Sequence, residues 1–246
     1  MHLRAVLRPL TFLLAVGTMT LLCTMASAVE LGIRYTDSKL GFSIRPPRYW
    51  TVEREPMEGV SVVFVGPRHE GFVGTLNIVI QPEKIEVTPA YVSILARQLE
   101  AGHAREKARK RLLRAKAAQP DVGITDYRVK RTRIAKVAGE DAAFLEAAYS
   151  GTYNGRKRKT RNLQLVVPGP SRHYILTYTA IGEQYERYLP EVMASMATFT
   201  VVATALGPSA LPASGKRKAA VALLVGLAAG IAVLVMARRR AGRRVA

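Results

Sequence analysis

The chain changes its hydrophobic period several times. Alternation of period two begins at Ile33 and Tyr35 and breaks at the turn Asp37-Ser38-Lys39. Residues 40–44 form the next strand-like run, stopped by Pro46-Pro47, and residues 50–54 a short one. Residues 60–65 are almost all apolar between Gly59 and Gly66-Pro67, and residues 76–80 repeat this between Gly74 and Pro82. Both runs are short and rich in β-branched side chains, which predicts strands rather than helices.

The period then becomes helical. Tyr91, Ile94, Leu95 and Leu99 share one stripe, Thr88 suits the N-cap and Pro89 the first helical position. The helix is expected to reach at least Gly102. The stretch 105–116 is rich in Ala, Leu, Arg and Lys and has the propensity to continue it, until Gln119-Pro120-Asp121 ends it.

Four longer strands come next, over residues 127–137, 142–152, 156–167 and 174–179. They are separated by Ala138-Gly139-Glu140, by Asn154-Gly155 (a hairpin signal) and by Pro168-Gly169-Pro170. Tyr185, Tyr188, Leu189, Val192 and Met196 mark a second helix over residues 183–197, and residues 199–202 add a short last strand. Strand pairs joined by tight turns, with two well-separated helices, predict an α+β fold: an antiparallel β-sheet flanked by helices that cover its faces.

Both ends of the chain are apolar. Arg4 and Arg8 precede the run 10–22, and Ala26-Ser27-Ala28 closes it as an A-x-A cleavage site, so residues 1–28 read as a signal peptide. Two other readings stand beside it: a lipidated Cys23, against which Leu22 sits where a small residue is needed, and an uncleaved anchor. Residues 219–237 hold nineteen residues with no charged or polar side chain. At ~1.5 Å per residue they span ~28 Å, the hydrocarbon thickness of a bilayer. Lys216, Arg217 and Lys218 precede this run, and Arg238, Arg239, Arg240, Arg243 and Arg244 come after it. The excess behind the run orients the tail 238–246 to the cytoplasm.

The expected organisation is therefore a signal peptide (1–28), an extracytoplasmic domain (29–203), a linker (204–218), a transmembrane helix (219–237) and a basic tail (238–246). The expected location is a bacterial cytoplasmic membrane, crossed once. Ala222, Gly226 and Gly230 recur every four residues in the span, a spacing that permits a homodimer; composition alone is the other explanation. Leu211-Pro212-Ala213-Ser214-Gly215 is similar to a sortase sorting signal, with Ser214 where threonine is usual.

Charge alters the picture further. The formal net charge is +19, and setting aside the ten cations of the two ends leaves 27 basic against 18 acidic residues, about +9. Such a domain favours an anionic partner: lipid headgroup, cell-wall polymer or acidic protein. Export argues against nucleic acid. Seventeen of those cations fall in three clusters: Arg105, Lys107, Arg109, Lys110, Arg111, Arg114 and Lys116; Arg128, Lys130, Arg131, Arg133 and Lys136; Arg156, Lys157, Arg158, Lys159 and Arg161. The first and third are the candidate anion-binding residues, and a solvated basic surface is the competing reading. In strands the side chains alternate faces, so only some can share one patch.

Motifs for chemistry are sparse. Cys23 is the only cysteine and lies in the leader, which leaves the domain without disulfide, thiol nucleophile or thiolate ligand. His69, His103 and His173 have no second histidine at metal-ligand spacing. No nucleophile elbow marks Ser61 or Ser93, the Glu53, Glu55 and Glu58 group reads as a surface edge, and no glycine-rich phosphate loop is present. The expectation is a non-enzyme that needs no cofactor or metal, with a cell-envelope hydrolase as the alternative from another class.

Several short motifs fall in a recognisable order: Gly41-Phe42-Ser43-Ile44, Pro46-Pro47, Tyr49-Trp50, Asn77-Ile78-Val79-Ile80 and the helix after Thr88. Then come Gly139 before Ala142-Ala143, the run from Tyr174 to Ala180, Tyr185 and Tyr188-Leu189-Pro190, with Met193 and Phe199 after them. Across residues 31–202 this order resembles the PsbP/Mog1-like domain family, including envelope proteins of DcrB and LpqN type. The resemblance implies an antiparallel sheet between helices (an α/β/α sandwich) and an accessory binding module without shared catalytic residues. Family members bind photosystem components or a small GTPase, or serve in the envelope. The basic helix extension and the C-terminal anchor depart from the family pattern.

Overall fold

The computed structural model describes residues 29–57, 59–69, 71–114, 124–153 and 156–202. The leader, the linker beyond Val202, the span with Ala222, Gly226 and Gly230, the tail, Lys116 and the Asn154-Gly155 turn lie outside the described residues. Among the described residues no helix is long and apolar enough to cross a membrane.

In chain order the elements are β1 (Tyr35–Asp37), β2 (Phe42–Ile44), β3 (Thr51–Met57), β4 (Val60–His69), β5 (Phe72–Gln81), α1 (Pro89–Arg114), β6 (Thr125–Val137), β7 (Glu140–Tyr153), β8 (Arg156–Pro168), β9 (His173–Ile181), α2 (Gly182–Ala197) and β10 (Thr200–Val201). The helix expected after Thr88 runs through most of the basic stretch. Its start is capped by Thr88, whose Oγ1 accepts a bond from the Tyr91 amide at 3.1 Å. In the turn after β1, Asp37 Oδ1 accepts bonds from the amides of Lys39 and Leu40. That Asx turn is the physical content of Asp37-Ser38-Lys39.

Two expectations change. Ile33 is outside the first strand and 93% exposed, because the Gly32 amide is tied to the Pro46 carbonyl (2.7 Å) and Leu31 bridges Pro47. The expected single sheet is two: β1-β2-β10, and a seven-stranded antiparallel sheet ordered β3-β4-β5-β9-β8-β7-β6. Pro46-Pro47 cannot supply the amides that would carry β2 on into β3.

In the large sheet, β9 lies between β5 and β8 and every one of its residues is buried. Burial on both faces explains why the central strands read as continuous apolar runs rather than clean alternations. One face sends Val62, Phe64, Leu76, Ile78, Leu163, Leu165, Leu176 and Tyr178 against α2 and the small sheet, with Phe42 and Phe199 stacked at 5.8 Å. The other sends Val63, Val79, Leu145, Val166 and Ile175 toward Val92, Leu95 and Leu99 of α1. On this second face two buried polar rows cross the centre: Asn77, Thr177 and Gln164, then Thr75, Thr179 and Asn162.

The helices cover opposite faces as expected, although the small sheet shares one of them with α2. Glu100 of α1 accepts a bond from the Val129 amide (2.9 Å), and His103 stacks on Tyr127 at 4.0 Å, which fixes α1 beside β6. Beyond a β-bulge, Gly66 lies under Trp50: a Cβ there would come within 2.9 Å of the indole. The close approach requires glycine.

The long strands give the domain two poles. The 13 residues of β8 extend ~40 Å at ~3.3 Å per residue. One pole holds the ends of β7 and β8 at Tyr153 and Arg156 and the start of β6. The other holds the turns after Val137 and Pro168, with β10, where the Val202 amide bonds the Gly41 carbonyl at 3.0 Å. The chain leaves the domain at this second pole.

Candidate anion-binding surface

Register decides which cations share a face. Arg128, Arg131 and Arg133 of β6 stand opposite Ala148, Glu146 and Phe144 of β7. Lys157, Lys159 and Arg161 of β8 stand opposite Thr152, Ser150 and Ala148. Opposed residues in a ladder point the same way. Phe144 belongs to the core under α2, so all six cations lie on the α2 face. Two strand spacings put the rows about 10 Å apart, and alternate residues within a row are ~6.7 Å apart. The rows are staggered: Arg128 and Arg161 face each other across Ala148, Arg131 and Arg133 continue beside Glu146 and Phe144, and Lys159 and Lys157 continue beside Ser150 and Thr152.

The β6 row converges because of the β-bulge between Val129 and Arg131. A bulge inserts an unpaired residue and shifts the parity of the residues after it. Strict alternation along 128–133 would send Arg131 and Arg133 to the face opposite Arg128. That one bulge aligns all three.

Next to the point where the rows meet, Glu146 is buried on β7 with its side chain 8% exposed. Its carboxylate accepts a charge-assisted bond from Arg161, and Arg131 approaches the other oxygen at 3.9 Å. Arg161 also bonds Glu186 of α2 and lies 4.2 Å over the Tyr185 ring. Burial first, and then the Glu146 carboxylate, push the Tyr185 hydroxyl above its ordinary pKa, so it stays protonated. Arg133 stacks on Phe144 at 4.3 Å, and Lys157 pairs with Asp126 at 3.7 Å. Arg128 and Lys159 are exposed and have no acidic partner among the described residues. Six cations against Glu146, Glu186 and Asp126 leave the face with a positive excess.

The remaining sequence candidates lie elsewhere. Arg156 and Arg158 alternate to the α1 face, and Lys136 pairs with Asp141 at 2.9 Å near the exit pole. Arg105 is exposed on α1. Lys107, Arg109, Arg111, Lys110 and Arg114 lie on the continuation of that helix, past His103 and toward the pole where β8 begins. Glu146 and Tyr185 were not among the sequence candidates. The available signal was a lone carboxylate inside the run Ala142-Ala143-Phe144-Leu145-Glu146-Ala147-Ala148.

At the exit pole a cleft of about 760 Å³ opens among the turns, lined in part by Lys84, Glu86, Lys136, Glu140 and Asp141, with no histidine. His69 ends β4, His103 is on α1 and His173 starts β9, its Nδ1 2.7 Å from the Glu83 carbonyl. Among the described residues no three His, Cys, Asp or Glu side chains gather as metal ligands would.

Neither protein-family models nor curated proteins yield a match to this chain. Solved structures do. Cyanobacterial PsbP from Synechocystis sp. PCC 6803 is 16% identical, with 73% of this chain and 96% of that one covered and a TM-score of 0.44. LpqN of Mycobacterium tuberculosis, described as involved in cell envelope biogenesis, is 13% identical over 71% of this chain and 87% of its own, with a TM-score of 0.37. The Saccharomyces cerevisiae Ran-binding protein Mog1p is 9% identical over 71% and 97%, with a TM-score of 0.39. These are the protein types that the ordered sequence motifs resemble. At such identities the likeness concerns the fold, and function rests on this chain's own residues.

Chemically, the face offers four guanidinium groups, two ammonium groups and the hydroxyls of Ser150 and Thr152. That set binds anionic oxygens: arginine by bidentate bonds, lysine as a point charge.

Proposed function

We propose that this chain is a non-catalytic binding module, tethered at the outer side of a membrane by residues 219–237, that holds an anionic partner with the cations of β6 and β8. The observation that carries the reading is their register. Two rows from separate sequence clusters stand on one face and meet across Ala148, and next to that meeting point the buried Glu146 accepts a bond from Arg161, with Arg131 at 3.9 Å. A merely solvated basic surface has no reason to collect both rows on one face or to bury a carboxylate that orders them.

Binding of this kind is salt-dependent, because each neutralised anionic group releases a counterion. With six cations engaged, log K falls against log salt with a slope of about −4, and removing three reduces the slope by about 2. The test uses the full chain in neutral detergent, titrated with long-chain inorganic polyphosphate over a salt series. The variant Arg128→Gln/Lys157→Gln/Lys159→Gln is compared with a control, Lys84→Gln/Lys136→Gln, at the opposite pole. Weaker binding and a shallower slope in the first variant alone support the reading. Equal losses in both variants overturn it.

A further inference from the structure

We propose that Ile33 and Tyr49 form a second interaction surface, which fits an apolar groove with an acidic rim on another protein. It is independent of the basic face: β3, which begins just after Tyr49, and β6 are opposite edges of the seven-stranded sheet.

Among the described residues five large apolar side chains are exposed, and four of them, Val29, Ile33, Tyr49 and Val52, come from one short stretch of chain. Ile33 is 93% exposed and Tyr49 78%. Single exposed apolar residues are ordinary, but these belong to one rigid clamp. Leu31 bridges Pro47 in antiparallel fashion, the Gly32 amide bonds the Pro46 carbonyl, and Glu30 pairs with Arg48. Arg45 tightens the clamp, donating from Nε to the Gly32 carbonyl at 3.2 Å and from Nη2 to the Leu31 carbonyl at 3.4 Å. Its own amide donates to Thr198 Oγ1 at 2.8 Å, which fastens the clamp to the end of α2. In this register Ile33 lies opposite Arg45 and Tyr49 opposite Val29, so the two stand at opposite ends of the clamp, ~13 Å apart at ~3.3 Å per residue.

The backbone at Tyr49 is the second observation. The Trp50 amide bonds the Pro47 carbonyl at 3.3 Å, which makes Tyr49 the third residue of a β-turn, and its φ is 66°. Glycine or asparagine ordinarily fills that position, because the left-handed region is costly for a bulky side chain. Pro47 before the turn and Trp50 after it are buried, while the Tyr49 ring projects into solvent with the Arg48 guanidinium 4.8 Å over it. A glycine would close the same turn with less strain. The fold gains little from a tyrosine here, whereas a partner gains an aromatic anchor held in one direction beside an arginine, the residue types on which interface energy concentrates.

Charge selects the partner. Arg34 and Arg45 flank Ile33, one next in sequence and one across the clamp. Both are exposed, and both donate to neutral oxygens: Arg34 to Ser43 Oγ, Arg45 to backbone carbonyls. Neither has an acidic partner among the described residues, so carboxylates beside the groove complement them. A second copy of this chain would add two more arginines to the contact. A lipid surface accepts a tyrosine in any orientation and gives a strained turn no use.

The test puts the photo-crosslinking residue p-benzoylphenylalanine in place of Ile33, of Tyr49 or, as a control at the exit pole, of Glu140, in the full chain and in intact cells that make it naturally. Products are identified by mass spectrometry. The expected result is that one and the same protein, different from this chain, is captured from positions 33 and 49 and not from 140. Tyr49→Gly should cut the yield from position 33 about tenfold, while Tm of the purified full chain holds within about 2 °C. A larger fall in Tm makes the ring part of the fold and overturns the inference. So do cross-links to lipid or to a second copy, equal yields from all three positions, or a yield from position 33 that Tyr49→Gly leaves unchanged.

Discussion

Glu146→Gln isolates the contact that orders the basic face. The carboxylate is almost fully buried, Arg161 is one-third exposed, and Arg131 is 80% exposed at 3.9 Å. The Arg131 contact is worth little on those grounds, since exposed pairs contribute about 0–1 kcal/mol. The bond to Arg161 is charge-assisted and shielded on one side, in a class worth ~1.5–3 kcal/mol. Arg161 keeps Glu186 and the Tyr185 ring after the substitution, which moderates the loss. The expected cost is about 1.5–2 kcal/mol, and at about 2–4 °C per kcal/mol for a domain of this size Tm falls by roughly 3–8 °C. Denaturant unfolding of Glu146→Gln, Arg161→Gln and the double variant closes the cycle, with a coupling of about 1 kcal/mol or more expected. A single-variant cost below about 0.5 kcal/mol, or a coupling near zero, would refute the claim that Glu146 holds Arg161 in place.

Gly66→Ala drives a methyl to 2.9 Å from the Trp50 ring and 3.2 Å from the Gly74 carbonyl, so about 1–3 kcal/mol is lost and the emission of the single tryptophan shifts. An unchanged denaturation midpoint would contradict that packing. Burial holds the His173 imidazole below its ordinary pKa, offset in part by its bond to the Glu83 carbonyl and by the Glu83 carboxylate. The unfolded chain therefore takes up the proton first, and the stability is complete above the unfolded value of ~6.5 and is lost as pH falls toward the folded value. Unfolding free energies measured from pH 7 to 5 fall more steeply in the natural protein than in His173→Asn, which keeps a donor near the Glu83 carbonyl; parallel curves would remove His173 as the cause.

Much of the fold was legible because its signals are local. Thr88-Pro89, Ala138-Gly139-Glu140 and the β-branched run 60–65 each specify an element through neighbours in sequence. Ala138 and Gly139 do adopt the positive φ that their turn requires, 50° and 89°. The division into two sheets and the insertion of β9 beside β5 were not legible, since both depend on pairings across a hundred residues or so. The site was half legible. Charge clusters are visible in composition, but the common face of the β6 arginines depends on the bulge before Arg131, and a bulge leaves no reliable mark in one sequence. Glu146 was overlooked because a single carboxylate in an alanine-rich strand has no motif; only the arginines from neighbouring strands give it a role.

Lysine reactivity tests the central claim most directly. The full chain in neutral detergent is acetylated briefly with and without saturating polyphosphate, and each lysine is quantified by mass spectrometry. If the β6 and β8 rows form one anion-binding surface, Lys157 and Lys159 become protected while Lys84 and Lys136, at the exit pole, stay as reactive as before. Protection spread evenly over all four, or confined to Lys84 and Lys136, would contradict the account.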